Sequence, residues 1–576
     1  MIKLLRFLKN YKKESVLGPL FKLLEATLEL FIPTFIANVI DKGIAEHSKQ
    51  IIITQGILMI CFGLIGFVFS VIAQYFSAKA AVGFVTEIRT SLYKKIQDFS
   101  YSQLDKIGTS SLITKMTSDT NQIQSTVNLA LRLLLRSPFI VIGTMIMAFT
   151  IDFKSGLVFV IVIPILSVVV FGIMIVLIPL YKKVQEAIDN VLGKTRENLS
   201  GIRVIRAFNK QTHEINEFDE CNSILTREQK LTGRISALMN PITYLIVNIG
   251  IIVLIYVGAL QVNKGNLSQG DVIALYNHMT MILVELVKLA MLIITITKGF
   301  ACGNRIQSIF EMESGETTAQ TSNKSSDENI IEFKDVSYRY EGSNENSLSN
   351  ISFSIKQGEI LGIIGGTGSG KTTLINLLPR FYETTEGTIY FNGEDINTID
   401  VTKLRDQIGL VPQKPVLFKG TIRSNLKWGN EDATDEELIE AIKLAQGIDI
   451  LNKKTDGLDA TVEQGGKNFS GGQKQRLTIA RALVRKPKIL ILDDSSSALD
   501  FATSSALQKA LNGLDYNPTI IIVSQRTSAI ACADKIIVLD NGEAVGIGTH
   551  TSLKKNCEVY QEIYNSQFKK EDVVYE

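Results

Sequence analysis

Six stretches of this chain stay apolar long enough to cross a bilayer, which takes roughly 20 mostly apolar residues. They lie near positions 16–41, 51–75, 127–150, 155–180, 241–262 and 272–300. Between the second and third, and again between the fourth and fifth, a helical apolar period persists through two long polar connections, Phe76–Thr126 and Tyr181–Asn240, broken mainly at Gly108 and Gly201. Loops of that length without structure are uncommon, so the pattern predicts that the spans continue as helices well beyond the membrane. The far ends, Tyr101–Asp105 and Gly201–Phe208, are expected either to dock as short helices on a domain outside the membrane or to close on their own neighbours. Pro33, Pro138, Pro164, Pro179 and Pro241 fall within or at the ends of the spans, where neighbouring helices can satisfy a kink.

After the last span the pattern changes. Ser314–Asn329 is rich in Ser, Thr, Glu, Asn and Lys without apolar period and reads as a linker, and beyond it short strand-like runs alternate with helical ones to about Phe568. The expected fold is a six-span α-helical transmembrane domain (1–312) with long intracellular extensions, a linker (313–329), an α/β P-loop nucleotide-binding domain (330–568) and a tail (569–576).

Composition and charge narrow this picture. The net charge of +2, with no basic run, argues against a nucleic-acid partner. Cys61, Cys221, Cys302, Cys532 and Cys557 show no metal or disulfide spacing. The N-terminal arm is basic (Lys3, Arg6, Lys9, Lys12, Lys13) and reads as an interfacial helix entering a retained span rather than a removable signal. Lys194, Arg196, Arg203, Arg206 and Lys210 enrich the segment Lys182–Arg234, whereas the loops around Lys42, Lys154 and Lys264 are poor in basic residues. By the positive-inside rule both termini are then cytoplasmic.

The strongest chemical signal is Gly365-Gly366-Thr367-Gly368-Ser369-Gly370-Lys371-Thr372, a full G-x-x-x-x-G-K-[ST] phosphate loop. It follows the strand-like run Ile360–Ile364 and opens a helix at Thr373. Backbone N–H groups at such a turn converge on phosphate oxygens, and the helix dipole adds to the attraction. Lys371 is placed to reach the β- and γ-phosphates of ATP and Thr372 to ligate Mg²⁺. Downstream, Lys488–Asp493 is an apolar strand ending in a carboxylate, the pattern of an Mg²⁺-holding Asp, here Asp493. Between them stands a second Gly turn opening a helix, Phe469-Ser470-Gly471-Gly472-Gln473-Lys474-Gln475-Arg476.

With these three motifs in this order the chain resembles the ATP-binding cassette (ABC) transporters, in the arrangement of exporter half-transporters, with Phe469 where the signature motif usually has Leu. The resemblance implies that Tyr340 stacks on adenine and that Gln413, in Val411-Pro412-Gln413, senses Mg²⁺ and the attacking water. It implies that Ser470, Gly471, Gly472 and Gln473 cap the γ-phosphate held by a second cassette, paired head to tail, and that Asp500 belongs to the loop linking the two sites. Two departures stand out. Where the family has a catalytic Glu this chain has Asp494, and Gln525 replaces a histidine that contacts the γ-phosphate. A carboxylate one methylene short is misplaced by about 1 Å, an error that can cost on the order of 100-fold in rate. A site that binds ATP but turns it over poorly is therefore expected here, with the intact signature turn completing a competent site on a different partner.

The expected function is that of one subunit of a heterodimeric, ATP-driven exporter moving amphipathic or hydrophobic small molecules of multidrug type out across a bacterial cytoplasmic membrane. A lipid or peptide exporter and an ATP-gated, channel-like module remain alternatives. Glu25, Glu29 and Glu285 are ionisable groups at membrane depth and so candidates for contact with cargo. Lys22 and Lys288, three residues from Glu25 and Glu285, equally permit pairing within the helix.

Overall fold

The computed structural model describes residues 1–312 and 329–567. Of the expected linker 313–329 only Asn329 is described, and the expected tail 569–576 lies outside the described residues. The chain divides into two compact units. One holds Met1–Gln97 and the chain from Thr109 to the end of the last membrane helix, and the other holds Asp98–Gly108 with the C-terminal domain.

Among the described residues, six helical stretches of the first unit are long and apolar enough to span a membrane. The first is α1 (Lys12–Asn38), preceded by a 3₁₀ helix at Ile2–Tyr11, and the second is α2 (Lys49–Gln97). After α3 (Tyr101–Ile107), which belongs to the second unit, the third span is assembled from α4 (Thr109–Thr114), a π-helical turn at Lys115–Asp119, α5 (Thr120–Leu133) and α6 (Arg136–Ile151). Then come α7 (Phe153–Ser200), the short α8 (Ile202–Ala207), α9 (Gln211–Asn263) and α10 (Gln269–Glu311). With 49 and 53 residues, α2 and α9 are about 75–80 Å long at 1.5 Å per residue, more than twice the hydrocarbon core of about 30 Å. The helical period read through the polar connections is helix for most of its length, broken at Gly108 and Gly201 as expected and also at Asp98–Ser100 and Phe208–Lys210.

One span departs from the expected pattern. The stretch 127–150 is not a single helix, because α5 ends at Leu133 and α6 restarts at Arg136. Pro138 accounts for the break: its ring has no N–H to give and clashes with the carbonyl four residues back, at Leu134, while permitting a new helix that it enters in the first turn. The restart turns Arg136 inward, leaving it 6% exposed.

A core of Val158, Phe159, Val162 and Leu166 from α7, Leu254 from α9 and Leu275, Met279 and Ile282 from α10 holds the first unit together. On α2, Ile60, Leu64, Phe67 and Val71 recur at helical spacing and are exposed, as suits a face turned to lipid. The two ends of α10 are tied to the start of the chain. Asp41 accepts hydrogen bonds from Ser268 Oγ and from the Gly270 N–H (2.8 Å), and at the other end the Met1 amine donates to Asn304 Oδ1 at 2.7 Å.

The second unit is built on two large sheets, with a small β7-β8 pair beside them. Its strands are β1 (Ile331–Tyr338), β2 (Leu348–Ile355), β3 (Ile360–Gly365), β4 (Glu386–Phe391), β5 (Glu394–Asp395), β6 (Ile408–Val411), β7 (Gly420–Thr421), β8 (Thr461–Val462), β9 (Ile489–Asp493), β10 (Thr519–Val523), β11 (Lys535–Asp540) and β12 (Glu543–Gly548). An antiparallel sheet runs β2-β1-β4-β5, and the main sheet runs β12-β11-β3-β10-β9-β6, parallel except for β12. β9 and β10 are buried throughout, which is why they read as unbroken apolar runs. Alternate residues feed two cores. Leu490, Leu492, Ile520 and Ile522 face one side, and Ile489, Ile491, Ile521 and Val523 the other.

Candidate nucleotide site

The site is a consequence of the parallel sheet. Chain direction is shared by β3, β10, β9 and β6, so the residues that follow them emerge along one edge, the place where open α/β sheets take ligands. From β3 comes the loop Gly365–Thr372, from β9 the pair Asp493 and Asp494, from β10 Gln525, and from β6 Gln413. Thr367, Gly368, Gly370, Lys371, Thr372, Thr373, Gln413, Asp493, Asp494, Gln525 and Tyr340 all line one cavity of about 610 Å³.

The loop leaves no room for other residue types at two points. A Cβ on Gly365 would lie 2.2 Å from the Leu539 carbonyl oxygen, and Gly370 sits at φ 95° as it caps α11 (Lys371–Leu377). With no cost at positive φ, Gly370 lets the backbone turn its N–H groups toward the cavity. Lys371 Nζ donates to the carbonyls of Gly365 (2.9 Å) and Gly366 (2.6 Å) and to Ser369 Oγ (3.3 Å). Burial pushes the Lys371 ammonium down from its ordinary range, and the charges of Asp493 and Asp494 counter this. A polyanion in the cavity would remove that penalty by supplying full charge where now there are only dipoles.

The residues present fit Mg²⁺. Thr372 Oγ1 donates to Asp493 at 3.2 and 3.4 Å, so a hydroxyl and a carboxylate, both hard oxygen ligands, face each other with Asp493 only 5% exposed. Burial pushes the Asp493 carboxyl up, as does the Asp494 charge, while Thr372 and Lys371 pull it down. A divalent cation supplies the counter-charge this pair lacks and, when bound with ATP, neutralises charge on the β- and γ-phosphates.

Asp494 follows in the left-handed region, φ 44°, its N–H held by the Val523 carbonyl at 2.9 Å. Its carboxylate lies 3.5 Å from Gln413 Nε2, at the outer edge of a hydrogen bond. Gln525 is exposed on the cavity wall, its backbone carbonyl accepting from Gln567 Nε2 at 2.6 Å. Tyr340 donates to or accepts from Thr373 Oγ1 at 3.0 Å and meets Tyr338 and Tyr382 edge-on at 4.8 and 5.4 Å.

Ser470, Gly471, Gly472 and Gln473 stand apart from the residues lining that cavity. Ser470 caps the helix Gly471–Val484, exchanging hydrogen bonds with Gln473 in a capping box, and a Cβ on Gly472 would meet the Ala498 carbonyl at 3.1 Å. The turn therefore abuts the loop that leads to Asp500, which in turn caps the helix Phe501–Asn512. Phe469, the departure from the usual Leu, is buried in the core behind it.

The model of the ABC transporter transmembrane region matches residues 15–286, and that of the ABC transporter ATPase, described as ABC transporter, matches 348–497. The uncharacterized ABC transporter ATP-binding protein YfiB of Bacillus subtilis is 36% identical over 572 residues, covering 99% of both chains. This chain belongs to the ABC transporters. A putative export ATP-binding/permease protein of Rickettsia typhi is 32% identical over 98% of this chain and 99% of its own length. Among solved structures, a bacterial Atm1-family ABC exporter with ATP bound shares the fold at TM-score 0.80 and 22% identity, over 97% of this chain and 99% of that one. One transmembrane region and one ATPase in a single polypeptide make this ABC transporter a half-transporter of exporter fold, and its activity is ATP hydrolysis coupled to transport.

Two sets of partners were not legible in the sequence. Within the second unit α3 lies against the C-terminal domain: Tyr101 stacks on Phe381 at 4.1 Å, Asp105 accepts from the Tyr382 hydroxyl at 2.7 Å, and Lys106 pairs with Glu341 at 2.5 Å. Burial and then the Asp105 carboxylate push the Tyr382 phenol up. The expected docking of Tyr101–Asp105 is thus observed, and Tyr382, which also packs on Tyr340, is the residue that sequence reasoning missed. In α8, by contrast, Val204 and the following Phe208 are exposed. In the membrane unit the expected pairs form, Lys22 with Glu25 at 2.5 Å and Lys288 with Glu285 at 2.9 Å. Arg136 adds a partner for Glu29 (2.6 Å) and for Glu285 (2.7 Å) that no local spacing announces.

Proposed function

We propose that this chain is the degenerate-site half of a heterodimeric exporter that moves amphipathic or hydrophobic compounds out across a bacterial cytoplasmic membrane, with both termini in the cytosol. The observation that carries the reading is the pairing of two departures around one cavity: Asp494 and Gln525 both line the space that Lys371 and Asp493 line. Asp494 supplies a carboxylate one methylene short and 3.5 Å from Gln413. Gln525 offers an amide that can donate a hydrogen bond but carries no imidazolium charge. Loss of both at one nucleotide is economical only if hydrolysis proceeds elsewhere, on a partner whose site receives the Ser470–Gln473 turn of this chain. The exposed Val204 of α8 and the Phe208 that follows it would supply apolar surface for the partner's nucleotide-binding domain.

ATP-driven dye uptake into inside-out vesicles tests the reading. Uptake is expected in vesicles that hold this chain with its partner half and not in vesicles that hold this chain alone. Equal uptake with the chain alone would contradict it.

A further inference from the structure

A second built site lies in the membrane unit. A cleft of about 380 Å³, within the range of small-molecule pockets, is lined by Glu29, Pro33 and Ile36 of α1 and by Asn277, Thr280 and Lys288 of α10. Glu285 lines it too and belongs to a buried ion pair. The Glu285 side chain is 4% exposed and accepts from Arg136 Nη1 (2.7 Å), Ser137 Oγ (2.9 Å) and Lys288 Nζ (2.9 Å), while Arg136, 7% exposed, also donates from Nη2 to Glu29 (2.6 Å). The outer members differ from the inner ones. Glu29 and Lys288 are 39% and 44% exposed and line the same cleft with opposite charges.

Their depth excludes a lipid-facing role. Counting from the tie between Asp41 and Gly270, Glu29 lies roughly 18 Å and Glu285 roughly 22 Å along their helices at 1.5 Å per residue, so with that tie at the membrane edge both fall inside a hydrocarbon core about 30 Å thick. Half-exposed charges at that depth face water or another protein surface, because hydrocarbon would not solvate them. Their sum also matters. Glu29, Glu285, Arg136 and Lys288 cancel, so a ligand with net charge would leave one charge uncompensated in a medium of low dielectric. A ligand bearing one positive and one negative group can exchange partners with Glu29 and Lys288 and leave the balance unchanged, while Pro33 and Ile36 cover its apolar part.

We infer that this cleft is a cargo subsite for net-neutral, zwitterionic amphiphiles, with Glu29 meeting the cationic group and Lys288 the anionic one. The inference rests on the export reading above but is read out by binding, which needs no turnover. The probes are a rhodamine free acid, a zwitterion, and its methyl ester, a cation of nearly the same shape. Fluorescence anisotropy with the reconstituted complex, without ATP, should show tighter binding of the acid. Lys288→Met should weaken the acid about tenfold, the loss of one charge-assisted contact, and tighten the ester, whose positive charge then balances a site left one negative. Lys288→Arg should keep the preference, and Glu29→Gln should weaken both dyes. A thermal melt of each variant complex that matches the wild type certifies its fold. Tighter binding of the ester than of the acid by the wild type, binding of neither dye, or equal affinities in wild type and Lys288→Met would overturn the inference and leave the four residues as an interhelical lock. If the acid binds as described and ATP never moves it, the export reading fails instead and the subsite stands.

Discussion

The C-terminal domain contains two glycine turns that open helices, and they meet different fates. Gly365–Thr372 is gathered with Asp493, Asp494, Gln413 and Gln525 around one cavity because four parallel strands deliver their following residues to the same sheet edge. Ser470–Gln473 is equally well formed, with its capping box closed, yet lies outside that set. Turn chemistry is local, whereas membership of a site is decided by sheet topology. The proposed pairing with a second chain would give the outlying turn a nucleotide to meet.

The largest expected effect comes from breaking the outlying turn. In the complex, Ser470→Ala with Gly472→Asp removes the capping hydroxyl and drives a carboxylate toward the Ala498 carbonyl, 3.1 Å from where a Cβ would stand. ATPase activity should fall about 100-fold or more, the usual cost of losing an oriented donor at a reacting phosphate, with ATP binding at Lys371 intact. Vanadate trapping is the measurement, and normal trapping would show that the turn serves no nucleotide. Breaking the gathered turn is next. Lys371→Ala should weaken ATP binding at this subunit by about 10- to 100-fold, since hydrogen bonds to charged groups contribute roughly 1.5–3 kcal/mol. Photolabelling with an azido-ATP would register that loss.

A smaller effect sharpens the electrostatics of the gathered site. Asp493 must be ionised to hold Mg²⁺, and burial together with the Asp494 charge raises its pKa. Magnesium-dependent ATP binding should therefore fade, as the pH drops, at milder acidity than an exposed aspartate would produce. Asp494→Asn removes one of the raising charges, so the midpoint should move to lower pH. An unmoved or higher midpoint in equilibrium binding would refute the coupling.

These two turns, the six spans and the strand ending at Asp493 were legible because each is a local pattern, a run, a period or a motif within a few residues. Gly201 ends the long α7 and Gly108 the short α3, as read, whereas the end of α2 at Gln97 carries no glycine. What escaped was held by distant partners. Arg136 meets Glu29 across 107 positions and Glu285 across 149, and nothing at i+3 or i+4 foretells either contact. The break at Leu134–Leu135 that turns Arg136 inward was encoded by Pro138 but masked by the apolar run around it. Tyr382 likewise meets Asp105 across 277 positions, because α3 belongs to the same unit as the C-terminal domain.

In the proposed heterodimer this subunit supplies one poor site and completes one good one. The most direct test compares ATPase rates of the isolated chain and of the complex, each with and without Asp494→Asn. A base misplaced by about 1 Å works on the order of 100-fold slower, so the isolated chain should be nearly inactive and the substitution should change the complex by roughly twofold or less. Substantial hydrolysis by the isolated chain, abolished by Asp494→Asn, would contradict the account and make this a transporter with two working sites.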